Sequence, residues 1–309
     1  MPRPPGPLFT FNLFPYDRLL DMDDLVRVVK AGEDAGFDIL SFPEHLLPPP
    51  ASHELLHNRS WWDLPALCSF LAAHTTRLRF MFGVSVLPYH EPITFAKALA
   101  TLDQVSKGRL ILGVGAGWYE EEAERLGYRF AERGAITDEY LAAIKELWTS
   151  DDPKFDGKYV SFEDVSFYPK PVQQPHPPII IGGTGPRPFR RIARMGDGWN
   201  PMVGTLDEAK EHMEQIRDLV READRDPEEL WFMRSVSWSH GDADRAAQHV
   251  RTKTADGGDD ADAPDIVTQV KANLDSGVNV VGFGFGWETA DDYIPQLEQV
   301  GREVIGAFR

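Results

Sequence analysis

The chain is poor in the residues that most often announce a mechanism. It has one cysteine, Cys68, in 309 residues, so neither an intrachain disulfide nor a cysteine-based metal cluster is expected. Basic side chains are scarce beside acidic ones, 32 against 49, and the formal net charge is −17. Such a surface repels phosphate backbones and anionic headgroups, which argues against a nucleic-acid or membrane-surface partner. No run of about 18 apolar residues occurs, so no membrane-spanning helix is expected. Met1-Pro-Arg-Pro-Pro-Gly6 has no long apolar stretch behind its charge, so no signal peptide is expected and the protein is read as cytoplasmic.

Other missing patterns narrow the chemistry. The nine histidines form no HExxH, and no His-x-His follows the first strand candidate, so a metal site is not expected. There is no GxSxG nucleophile elbow and no glycine-rich loop ending in Gly-Lys-Ser/Thr. A site without metal, nucleophile or P-loop points to an organic cofactor that brings its own reactivity.

What is present is a repeated alternation of short apolar runs and amphipathic segments. Strand candidates are Leu8–Phe14, Phe37–Phe42, Leu78–Leu87, Arg109–Val114, Ile179–Ile181, Gly198–Met202, Leu230–Trp238 and Val278–Phe285. Helical spacing covers Asp23 onward, Trp61–His74, Glu91–Ser106, Tyr119–Leu126, Thr137–Trp148, Phe189–Met195, a run after the Thr205–Glu208 capping box, Asp244–Lys253, Ile266–Leu274 and Tyr293–Ala307. Residues 151–178 break the rhythm and read as an inserted loop or short hairpin. Residues 255–263, rich in Gly and Asp, read as a mobile loop. Eight strands each followed by helix, with no GxGxxG in the first turn, favour an α/β fold of one (β/α)8 TIM barrel over residues 1–309 rather than a doubly wound sheet.

In such a barrel the residues just after each strand build the site. Glu44-His45 follows the second strand and can give or take a proton, or simply order the next loop. Gly83-Val84-Ser85-Val86 follows the third and permits close backbone approach, or relieves crowding in the wall. Gly113-Val-Gly115-Ala-Gly117-Trp118 allows close approach to a planar ring, or forms a tight turn capped by a packing Trp. Gly182-Gly183-Thr184-Gly185-Pro186-Arg187 opens a helix and reads as an anion site, with Arg187, Arg190, Arg191 and Arg194 adding positive charge, or as a solvated helix face.

Several of these motifs stand in a familiar order. Ala35-Gly-Phe-Asp38, Pro43-Glu-His45, Ala96-Lys-Ala-Leu-Ala-Thr-Leu-Asp103, Ser106-Lys-Gly-Arg-Leu110, Gly113-Val-Gly-Ala-Gly-Trp118, Pro178-Ile-Ile-Ile-Gly-Gly183 and Gly196-Asp-Gly-Trp-Asn-Pro201 resemble the luciferase-like monooxygenase superfamily over nearly the whole chain. The branch it resembles most is the one that uses the deazaflavin coenzyme F420. The resemblance implies a bacterial-luciferase-like barrel with the cofactor ring at its C-terminal mouth. It implies a non-prolyl cis peptide as a backstop in strand three, at the place of Ser85-Val86. It also implies a phosphate loop at Gly182, Gly183 and Thr184, and His45 near the ring edge. One departure is visible: Trp118 stands where F420-dependent sugar-phosphate dehydrogenases carry a glutamate, with Glu120, Glu121 and Glu122 nearby but out of register. Their substrate and proton chemistry are therefore not carried over.

The expected activity is an F420-dependent oxidoreductase that moves a hydride between the deazaflavin C5 and a small organic substrate. Glu44 and His45 are the expected catalytic groups, and Ser85, Val86, Gly115, Gly117, Trp118, Gly182, Gly183, Thr184 and Arg187 the expected cofactor contacts. The alternatives are an FMN-dependent two-component monooxygenase and a non-catalytic F420 or flavin carrier or sensor. The resemblance further implies a homodimer paired through barrel-wall helices.

Overall fold

The computed structural model describes residues 5–201, 204–238 and 265–309. Its strands are β1 (Leu8–Asn12), β2 (Ile39–Phe42), β3 (Arg79–Phe82), β4 (Ser85–Val86), β5 (Leu110–Gly115), β6 (Phe155–Asp156), β7 (Ser161–Phe162), β8 (Ile179–Gly182), β9 (Gly198–Asn200), β10 (Trp231–Ser237) and β11 (Val280–Gly284). β1 pairs with β2 and β11, β2 with β3, and β5 with β3, β4 and β8; β9, β10 and β11 continue the circuit, all in parallel. With β3 and β4 sharing one position, eight parallel strand positions close a (β/α)8 barrel, as the alternation predicts. β6 and β7 stand apart as an antiparallel hairpin within 151–178, with Phe155 opposite Phe162.

The helices are α1 (Met22–Asp34), α2 (Ser52–Leu56), α3 (Leu64–His74), α4 (Pro92–Val105), α5 (Glu120–Arg125), α6 (Arg133–Thr149), α7 (Pro186–Met195), α8 (Leu206–Glu222), α9 (Ile266–Asp275) and α10 (Ala290–Glu303). Local chemistry sets many of their starts. Asp21, Asp63 and Glu91 accept backbone N–H groups ahead of α1, α3 and α4, and Thr205 with Glu208 forms the capping box of α8. Gly36 leaves α1 at φ +101°, in the left-handed region that glycine enters without a steric penalty. Outward strand residues such as Phe9, Phe11, Leu40, Phe80, Leu112 and Ile181 pack against helix residues such as Val28, Leu71, Leu99 and Ile192 in one continuous core.

The structure departs from the sequence reading at several points. The third strand is not continuous: it breaks into β3 and β4, and the non-prolyl cis peptide joins Gly83 to Val84, not Ser85 to Val86. The ladder explains the break. From Met81 opposite Ile111 to Ser85 opposite Val114, β5 advances three residues while the β3–β4 side advances four, so one residue bulges out. The helix expected from Trp61 begins at Leu64, because Asp63 caps it and Pro65 occupies its first turn; Trp61 and Trp62 stay outside. The short α2 lies in a loop where no helix was expected. The helix expected at 244–253 and the loop at 255–263 lie outside the described residues, as does Met202 at the end of the sixth strand candidate.

One buried carboxylate ties the N-terminal face together. Glu33 accepts the backbone N–H groups of Thr76, Arg77 and Leu78 at 3.0, 2.7 and 2.8 Å. Burial opposes its charge, but those three N–H donors and the Arg77 cation outweigh burial and lower its pKa. A carboxyl whose folded pKa is lowered stabilises fully above the unfolded value of about 4.3 and loses that contribution as pH falls through the folded value. Glu33→Gln is therefore expected to cost about 1–3 kcal/mol at pH 7. The gap to wild type should close as pH is lowered beneath the carboxylate range. Urea midpoints of both proteins along a descending pH series from pH 7 check this.

Candidate active site

The barrel interior changes character along its axis. Its lower layer is bulky and apolar: Leu8, Ile39, Met81, Ile111, Ile180, Trp231, Met233 and Val280 form one buried cluster. Two residues further along each strand, on the same face, stand Thr10, Ser41, Gly83, Gly113, Gly182, Ser235 and Gly282. A Cβ on Gly83 would lie 2.2 Å from Ser41 Oγ, and one on Gly282 would lie 2.6 Å from Ser235 Oγ, so these small groups face one another. The mouth is thus lined by small and polar residues above an apolar floor.

Val84 fills part of that mouth. Cβ atoms built on Gly115 and Gly182 would fall 2.5 and 2.8 Å from its methyl groups, and one on Gly113 would fall 3.5 Å away. The sequence reading assigned Gly113 and Gly115 to close approach of a ring. In the structure the missing side chain of Gly115 makes room for Val84, which the sequence reading did not single out, and that of Gly113 makes room for the Phe82 carbonyl, whose oxygen would lie 1.7 Å from a Cβ there. Gly117 plays the same part for Val86, whose Cγ1 would lie 2.8 Å from its Cβ.

Glu44 and His45 are neighbours in sequence but serve two separate networks. Glu44, buried, accepts Ser85 Oγ–H and Val86 N–H on Oε2, both at 2.8 Å, and His90 Nε2 lies 3.0 Å from its Oε1. His90 in turn stacks on Phe95 at 3.8 Å. Both Glu44 oxygens are therefore engaged in holding β4 and His90. Tyr16 fixes the same turn by donating to the Pro43 carbonyl at 2.8 Å.

His45 bonds through Nδ1 to Glu122 Oε2. Glu122 also accepts the N–H groups of Leu46 and Leu47 at 2.7 and 2.8 Å and the Tyr89 hydroxyl at 2.9 Å. Burial works against its charge, but the His45 bond and those backbone donors prevail and lower its pKa. Burial and the Glu122 charge raise Tyr89 far above its ordinary value, so its hydroxyl stays a donor. The His45 ring is boxed by Trp61 at 4.7 Å, Trp118 at 6.0 Å and Tyr119 at 6.4 Å, all edge-on. Trp118 stacks on Tyr119 and is 47% exposed, as are Leu46 at 38% and Leu47 at 51%, which makes the rim beside His45 apolar.

Glu122, Trp61, Tyr89 and His90 are among the residues that sequence reasoning missed here. Glu122 sits in an acidic run whose neighbours Glu120 and Glu121 are exposed. Its one signal is that Ala123 and Leu126, three apart, mark the inner face of α5 and place 122 at that face's edge.

At the turn before α7 the donors also differ from expectation. Gly183 N–H is occupied by the Asn200 carbonyl at 3.3 Å. Pro186 and Pro188 have no N–H, so the first turn of α7 offers fewer donors than most helix starts. Among the described residues, the N–H groups of Thr184, Gly185 and Arg187 make no hydrogen bond, and with the Thr184 hydroxyl they are the available donors. Arg187, Arg190 and Arg194 are exposed, whereas Arg191 is buried and bonded to Asp138 at 2.6 Å and to the Gly134 carbonyl at 3.1 Å. Arg191 does not belong to the positive patch that the sequence reading drew.

Residues 9–298 match the family model described as luciferase-like monooxygenase. An uncharacterized protein of Mycobacterium tuberculosis is 34% identical over 213 residues, covering 64% of this chain and 73% of that one. The F420-dependent glucose-6-phosphate dehydrogenase of Amycolatopsis mediterranei is 29% identical, covering 90% of this chain and 95% of that one. An FMNH2-dependent dimethylsulfone monooxygenase of Pseudomonas putida is 31% identical, covering 48% and 41%. Among solved structures, an F420-dependent secondary alcohol dehydrogenase superposes with a TM-score of 0.79 at 20% identity, covering 98% of this chain and 99% of that one.

Proposed function

This chain belongs to the luciferase-like monooxygenase family, and we propose that it is an F420-dependent oxidoreductase acting on a small, largely apolar alcohol or carbonyl compound. The observation that carries the reading is the mouth itself: an opening lined by small residues beside Val84, with the Glu122-held His45 at its edge. A planar ring fits such a lining, and the open donors at Thr184 and Gly185 suit a phosphate. The relative that spans 90% of this chain uses F420, whereas the FMNH2-dependent relative aligns with 48% of it.

Bound F420 supplies a ring whose C5 gives or takes a hydride. The chain's own part is to bind, orient and handle protons. Val84 and the small residues around it underlie the ring, and Glu44 holds them in place through Ser85 and Val86. Thr184 and Gly185 hold the phosphate, with Arg187 adding a solvent-screened charge. His45 gives or takes the substrate proton at Nε2. Trp118, Leu46 and Leu47 take the apolar part of the substrate. A homodimer belongs to the same reading and rests on the family resemblance alone.

A second reading, a flavin monooxygenase supplied by a separate reductase, is supported by the dimethylsulfone monooxygenase relative. Parallel titrations separate the two. Tight F420 binding, with turnover against a panel of neutral alcohols and carbonyls, supports the first; tight binding of FMN alone overturns it.

Gly183→Val tests the phosphate turn. Gly183 has φ +98°, which a β-branched residue does not adopt without strain. The variant should stay folded while F420 affinity falls at least about tenfold, equivalent to roughly 1.4 kcal/mol. Arg187→Ala should weaken binding less, and chiefly at low salt. Isothermal titration at two salt concentrations, with far-UV CD, measures both. An unchanged affinity in folded Gly183→Val would place the phosphate elsewhere.

A further inference from the structure

We propose that Glu122 is a positioning residue: it fixes His45 as the Nδ1–H tautomer, so that Nε2 is the atom through which His45 exchanges a proton with substrate. The inference deepens the functional reading above and rests on it for the identity of the reaction, but the tautomer stands on geometry alone.

Glu122 has no exposed surface. Four groups converge on its carboxylate: Leu46 N–H and Leu47 N–H on Oε1, Tyr89 O–H and His45 Nδ1 on Oε2. Peptide N–H groups can only donate, so Oε1 is an acceptor without alternative. On Oε2 the Tyr89 hydroxyl keeps its proton and donates. An ionised carboxylate is acceptor-only, and this environment of donors is one that holds it ionised. The remaining contact then requires a proton on His45 Nδ1.

The consequence appears at the other ring nitrogen. Nε2 makes no hydrogen bond to any described residue, while Trp61, Trp118 and Tyr119 hold the ring edge-on and limit its rotation. In the neutral ring Nε2 is therefore a bare acceptor. When it takes a proton, the ring keeps its Nδ1–H on the Glu122 carboxylate. The same carboxylate pins Leu46 and Leu47, so it places the apolar rim and the proton-exchanging atom together.

Glu122→Gln gives a sharp test. The two backbone donors hold the new amide oxygen, which turns the amide NH2 toward His45. Nδ1 must then accept, and the proton moves to Nε2, the wrong nitrogen for taking a proton. In uniformly 15N-labelled protein without cofactor, two-bond 1H–15N spectra, assigned by loss of the signals in His45→Asn, distinguish the two tautomers. The expected result is Nδ1–H in wild type and Nε2–H in Glu122→Gln. Turnover with F420 should fall about 10²- to 10⁴-fold, with F420 affinity within about threefold and far-UV CD unchanged. An Nε2–H wild type overturns the proposal by itself, even if the variant does not fold. So does a folded variant that keeps the wild-type tautomer and turnover. Failure of the wild-type protein to bind F420 would overturn the functional reading and leave the tautomer result standing.

Discussion

His45→Asn is expected to bind F420 about as well as the parent protein and to turn over roughly 10²- to 10⁴-fold more slowly, the usual contribution of a positioned acid–base group. The expectation follows from where the ring sits. His45 is 7% exposed and bonded through Nδ1 to Glu122, while Nε2 makes no hydrogen bond to any described residue. Asn reaches Glu122 with an amide N–H and so keeps the buried carboxylate partnered, which avoids the penalty of leaving a charge unpaired in the interior. What Asn lacks is a nitrogen that can take a proton. The loss should fall on kcat and not on cofactor binding. A folded His45→Asn protein that turns over within about threefold of wild type would remove His45 from the chemistry and leave it as a loop anchor.

The second large effect is on stability. Gly113→Ala is expected to cost about 3 kcal/mol or more, at the upper end of overpacking penalties. A Cβ at this position would lie 1.7 Å from the Phe82 carbonyl oxygen and 2.9 Å from its carbonyl carbon. Both belong to backbone at the point where β3 gives way to the bulge, and no rotamer change can move them aside. Gly284→Ala is the control, because its nearest neighbour would be 3.9 Å from the added carbon. Urea midpoints should drop sharply for the first and hardly at all for the second. Equal midpoints would mean that β3 and β5 can separate freely, and that the packing around Val84 is looser than the structure has it.

Both variants bear on what can be read from a chain of letters. Strand and helix positions were legible because each rests on local signals: apolar periodicity, Asp21 and Asp63 as caps, Pro92 at a helix start, Gly36 at a helix end. The bulge between β3 and β4 was not, because Leu78 to Leu87 reads as one apolar run. Only the register against β5 reveals the extra residue. The turn at Gly182–Arg187 was singled out from its glycines as a candidate anion site, yet the N–H groups left open there are those of Thr184, Gly185 and Arg187, since the Asn200 carbonyl that takes Gly183 N–H comes from the next strand.

By itself, the sequence determined the barrel and the strand ends that carry candidate residues, since these follow from alternation and from the rule that parallel strands end together. It also held every side chain of the candidate site. Tertiary structure alone decided how those side chains are partnered. Glu44 and His45 are adjacent in the chain, but one bonds across 41 residues to Ser85 and the other across 77 to Glu122. The physical reason is that a closed barrel brings the ends of distant strands to one rim. There a buried carboxylate must find its donors in space, and sequence distance sets no limit on which donors those are.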